Sequence, residues 1–121
     1  MGKTEEVITL KRRVVFTGIG AITPVGNSAK ESWEAICRGE SGISTITRFD
    51  ASDFPARIAG EVKGFDPFDY IDKKEEKKMD IFIQYAIASS AMAMEDSKLV
   101  VNNGDAGNVG VIMGVGLGGL P

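Results

Sequence analysis

A chain of 121 residues has room for one domain and is short for two. Its 43% hydrophobic and 26% charged residues are those of a globular protein, and a net charge of −3 argues against binding nucleic acid through bulk electrostatics. A single cysteine excludes an internal disulfide, and with no histidine there is no cluster for zinc, so a reducing, cytoplasmic setting is the default expectation. No apolar run approaches 18 residues, so no membrane-spanning helix and no membrane partner are expected.

Residues 1–11 are polar and mixed in charge, and read as a flexible N-terminal extension. The basic Lys11, Arg12 and Arg13 before VVFTGIGAI could suggest a signal peptide. The apolar part is short and broken by glycine, however, and it has no small-x-small cleavage site. A strand over Arg13–Thr17 is favoured, its Val14, Val15 and Phe16 forming the continuous apolar run of a sheet buried on both faces.

GIGAITPVGN follows. Its Gly18 and Gly20 begin a G-x-G-x-x-G, but Thr23 holds the third glycine's place and Pro24 comes next. A structural glycine loop is therefore favoured over a phosphate loop. Ser28 and Glu31 can make a capping box, and Ala29, Trp33, Ile36 and Cys37 recur at helical spacing up to Gly39. Cys37 sits on that apolar stripe and reads as a small core residue rather than a nucleophile.

From Glu40 to Tyr70 the periodicity is lost, with one short strand expected around Ile58–Val62. Phe49, Phe54, Phe65 and Phe68 suggest that this long excursion packs as an ordered cover. Its aspartates fit turn formation better than a metal site.

Asp72–Ser97 predicts one long helix, opened by an Asp72/Glu75 capping box. Met79, Phe82, Ile83, Ala86, Ser90, Ala93 and Met94 fall on one core-facing stripe. The Ala- and Ser-rich later turns are expected to be enclosed on all sides. Lys73, Lys74, Lys77 and Lys78 share a face nearly opposite the stripe. Cations at a helix N-terminus oppose its dipole, so stability alone would not choose this placement.

Val109, Val111, Ile112 and Met113 predict a second buried strand, giving an α/β sheet with parallel central strands. The strand runs into GVGLGGLP, where Gly114, Gly116 and Gly119 match G-x-G-x-x-G but lack the following helix and acidic residue. A glycine turn leaving a buried strand is where the next element should begin, so 12–121 is expected to be the truncated N-terminal portion of a larger domain.

RRVVFTGIGAITPVGN, GESGIS, KKEEKKMDIFIQYA and GVIMGVGLGGL, in this order and spacing, closely resemble the N-terminal part of β-ketoacyl-[acyl-carrier-protein] synthases. The KKMDIFIQYA version is similar to that of the type II condensing enzymes. The resemblance covers Arg12 to Leu120 and implies part of a thiolase-like α/β fold, with α-β-α layers and an incomplete sheet.

The resemblance further implies a homodimeric acyltransferase of fatty-acid synthesis that elongates acyl chains by decarboxylative condensation with malonyl-carrier protein. The family's catalytic cysteine and two histidines lie downstream of this region, so no catalytic residue is carried over, and no cofactor or metal is expected. Lys74, Lys77 and Lys78 match the basic patch that docks the acidic, phosphopantetheinylated acyl carrier protein. Leu117 matches a position lining the acyl-chain pocket. The alternative reading is a non-catalytic module that binds acyl carrier protein, and a dinucleotide-binding fragment built on Gly114–Gly119 is a third.

Overall fold

A computed structural model of the chain describes residues 12–119; the proposed extension over residues 1–11 lies outside them. Helix α1 spans Ala29–Cys37, strands β1 and β2 span Ile43–Thr45 and Ile58–Gly60, and helices α2 and α3 span Lys73–Glu76 and Ile81–Ser97. Single 3-10 turns lie at Pro67–Asp69 and Ala106–Asn108.

Helix α3 is the spine. Ser89, Ala93 and Ser97, four residues apart, put small side chains on one face, and the loop after the first apolar segment lies directly on them. A Cβ on Gly20 would collide with the Ser89 carbonyl, and one on Gly18 with that of Ala93. The Ile19 N–H donates to Asp96 Oδ2 at 2.9 Å, fixing the same loop to the helix. This close approach is the physical reason for the paired glycines, and it confirms the structural reading of GIG.

The TPVG turn closes through Thr23 N–H to the Gly26 carbonyl at 2.8 Å. It sits on α1, where the Thr23 and Ser32 hydroxyls are 2.8 Å apart. Glycines at 42 and 60 let the two strands close on the Pro24 ring, since a Cβ at either would lie 2.6 or 2.8 Å from it. The hairpin pairs Ile43 with Gly60 and Thr45 with Ile58, antiparallel. Glu61, buried just beyond β2, accepts from the Thr47 N–H, the Thr47 hydroxyl at 2.7 Å and the Arg48 N–H. Phe49 meets Phe54 edge-on, but both rings are more than half exposed, so they pack on each other rather than forming the expected cover.

The donors around Glu61, Thr47 foremost, hold its carboxyl below the ordinary glutamate range. Its folded pKa lies under its unfolded value. Its contribution to stability is therefore complete above about pH 4.3 and is lost as the pH falls through the depressed folded value. Glu61→Gln is expected to flatten that acid limb, as acid titration followed by circular dichroism would show.

Several expectations need correction. The long helix is broken: α2 ends at Glu76, a turn follows, and Asp80 caps a new helix by accepting from the Ile81 N–H at 3.1 Å. Asp72 makes no side-chain cap, and Glu75 turns to Lys78 instead of completing a box. The break leaves Lys73 and Lys74 in α2 and Lys77 and Lys78 in the turn that leads into α3. Around α1, Ser28 does accept from the Glu31 N–H, but the Glu31 carboxylate takes the Asn27 N–H, one residue early.

The buried side of α1 is Ser32 and Ala35, because the TPVG turn covers it; Trp33 and Ile36 face outward and Cys37 is exposed, not a core residue. In α3 only Gln84 and Ala88 are fully enclosed. The expected strands 13–17 and 109–113 make no ladder, and the two-stranded antiparallel hairpin is the one sheet among the described residues. Phe16 is 98% exposed and Ile112 96%. Both segments instead flank α3, where Thr17, Gly18 and residues 110–113 border one shallow cleft over Ser90, Ala93 and Met94. A strand requires a neighbour to satisfy its backbone, and none lies beside these two among the described residues.

Candidate functional site: a basic turn beside an apolar cleft

The 3-10 turn at Pro67–Asp69 packs against both α2 and α3 and fixes the lysine segment between them. Asp66 accepts from the Phe68 N–H at 2.9 Å and starts that turn. Lys73 Nζ lies 5.4 Å from the Phe68 ring centroid, within cation–π range. Lys78 Nζ pairs with Glu75 Oε1 at 2.7 Å, an exposed pair of small energetic value. Among the described residues, Lys74 and Lys77 have no ion-pair partner within 4.0 Å. Lys74 and Lys77 are thus the uncommitted charges of the cluster.

Just past this turn, Phe82, Ile83 and Ala86 of α3 face Met113, Gly114, Val115 and Gly116 across an apolar cleft of about 350 Å³. The glycine turn is shaped to reach this place. Gly118 has φ +70, which favours glycine, and Gly119 abuts the Asp80 carboxylate at the start of α3. The basic segment and the glycine turn therefore meet at Asp80, a junction invisible in the sequence because residues 80 and 119 are far apart in it. Leu117 lies in this turn but is 83% exposed and does not line the cleft; its neighbours Val115 and Gly116 do. Within residues 114–119 the glycine turn itself forms no helix.

Residues 11–120 match the family model described as "Beta-ketoacyl synthase, N-terminal domain". The chain belongs to the β-ketoacyl synthase family. Among its relatives, 3-oxoacyl-[acyl-carrier-protein] synthase 2 of Vibrio cholerae is 53% identical over 110 residues, which is 91% of this chain and 27% of that protein. The protein of the same name from Synechocystis is 50% identical over 110 residues, covering 91% and 26%. The one from Staphylococcus aureus is 45% identical over 109 residues, covering 90% and 26%.

The chain thus spans about a quarter of the length of these ketoacyl synthases. A solved structure titled "The ishigamide ketosynthase/chain length factor" aligns with a TM-score of 0.63 at 36% identity, covering 74% of this chain and 22% of the other. The fold is accordingly the N-terminal part of the thiolase-like ketosynthase fold. Among the described residues, no group of acidic, cysteine or histidine side chains could hold a metal, and no helix is long and apolar enough to cross a membrane.

Proposed function

We propose that this chain belongs to a condensing enzyme that elongates acyl chains by decarboxylative condensation with malonyl-carrier protein in cytoplasmic fatty-acid biosynthesis, as a homodimer. Its own part is recognition rather than bond-making. The reading is carried by identity of about one-half, across nine-tenths of the chain, to proteins named 3-oxoacyl-[acyl-carrier-protein] synthase 2. The catalytic cysteine and histidines belong to other parts of such an enzyme. This chain has no histidine, and its one thiol is exposed on α1.

Lys74, Lys77 and Lys78 draw in the acidic acyl carrier protein. Clustered ammonium groups steer an anionic partner over long range and take carboxylate or phosphate as point charges. Lys78 acts only by exchanging Glu75 for the partner, whereas Lys74 and Lys77 are free at once. The apolar cleft beside Phe82 and Met113 begins where the basic turn ends, so a partner docked on the lysines has apolar surface next to it for its acyl cargo. Leu117 borders this region, and an acyl chain would draw it in from solvent.

A non-catalytic binding module is not favoured, because the similar proteins are named as synthases. The test is condensation by the protein at its native length, supplied with acyl- and malonyl-carrier protein. Carbon dioxide release with chain elongation is expected. Carrier-protein binding without either would leave only the binding module.

A further inference from the structure

Arg48 opens the loop between β1 and β2 and is held at both ends. Its backbone N–H donates to Glu61 Oε1 at 3.1 Å, on the same carboxylate that Thr47 grips. Its Nη2 donates to the Tyr85 hydroxyl at 2.9 Å on α3. Tyr85 meets the Phe65 ring edge-on with centroids 5.1 Å apart, and Phe65 stacks on Tyr70 at 6.4 Å. Tyr70 closes the 3-10 turn that leads into α2. One row of aromatic contacts therefore runs from the guanidinium to the turn that precedes α2.

The Arg48 side chain is held without being neutralised. Its partner is a neutral phenol, and among the described residues no carboxylate oxygen lies within 4.0 Å of the guanidinium. The residue is exposed, so its full charge and remaining N–H donors face outward. A planar fork already fixed in place loses less freedom on meeting a carboxylate or phosphate than a flexible lysine does.

We propose that Arg48 is a further anchoring cation for the acidic carrier protein, taking one of its carboxylate or phosphate groups while Lys74 and Lys77 take others. The inference rests on the docking reading above. Glu61 and Tyr85 are positioning residues: one fixes the Arg48 backbone and the other aims its side chain.

The test titrates purified acyl carrier protein, with and without its phosphopantetheine arm, into the protein at its native length at low salt. Arg48→Gln is expected to weaken binding about fivefold and to make the dependence of affinity on salt shallower. Arg48→Lys should restore only part of the loss, and Tyr85→Phe, which keeps the charge but frees the fork, should weaken binding about twofold. Weakening with both forms of the carrier assigns a surface carboxylate; weakening only with the arm assigns its phosphate.

Unchanged affinity in Arg48→Gln, with weakening in Lys74→Gln/Lys77→Gln, overturns the inference and leaves the docking reading intact. An affinity loss with an unchanged salt dependence and a lowered melting temperature makes Arg48 a structural tie, and also overturns it. No loss in the lysine variant removes the docking reading, and the inference with it.

Discussion

Gly20→Ala will destabilise the protein by about 3 kcal/mol, the upper end of what overpacking a fitted contact costs. A methyl group at this position meets the Ser89 carbonyl and the Ala93 backbone nitrogen, and neither belongs to a side chain that could swing aside. Relief requires the loop to lift off α3, which would also loosen the Ile19 hydrogen bond to Asp96. The control is Gly104→Ala, where nothing lies within 4 Å and the backbone is not left-handed. There the change should stay within about 0.5 kcal/mol, as at other open surface positions. Urea denaturation of both variants at native length checks the difference. Equal midpoints would mean that the glycine loop does not bear on α3.

Local signals on this chain were readable where they depend on neighbours in sequence. Ser28, Gly39 and the 3.6-residue spacing between them mark α1, and Gly39 does adopt the left-handed φ of +73 that ends it. The TPVG turn and the break in periodicity after Gly39 mark the excursion. Which face of α1 is buried was not readable, because Trp33 and Ile36 carry the hydrophobicity while the turn at residues 23–26 covers Ser32 and Ala35. The Asp80 break was hidden for a related reason. The apolar spacing from Met79 onward continues in phase through the turn, and only the capping chemistry of Asp80 interrupts it.

The two apolar segments at 13–17 and 109–113 teach a different lesson. Their apolar composition predicts burial, yet both are exposed, because burial and pairing are properties of neighbours that a sequence pattern cannot supply. At the candidate site, the lysine cluster was visible as charge on one face. Its division into committed and free members was not, since that depends on whether Glu75 turns back to Asp72 or forward to Lys78. Arg48 was missed altogether. Its signal is the aromatic Tyr85, 37 positions away, which only the folded chain brings to it.

That division of charges sets the size of the second large effect. Reversing the two free cations, Lys74→Glu with Lys77→Glu, should slow association with acyl carrier protein about a hundredfold at low salt, because steering by opposite charge becomes repulsion. Neutralising them to glutamine removes the attraction only, and about tenfold is expected. Lys78→Gln should do less than Lys74→Gln, since Glu75 already balances Lys78 at 2.7 Å. Glu75→Gln should act in the opposite sense, releasing Lys78 and speeding association.

All four differences should shrink as ionic strength rises, because at about 0.15 M exposed charges are screened beyond roughly 8 Å. Dissociation rates should change less than association rates, as charges at an interface rim act mainly on encounter. Stopped-flow mixing over a salt series separates the two. A loss confined to dissociation and indifferent to salt would mean that the lysines touch the partner through specific contacts rather than steer it. No loss in either rate would take acyl carrier protein docking away from this segment.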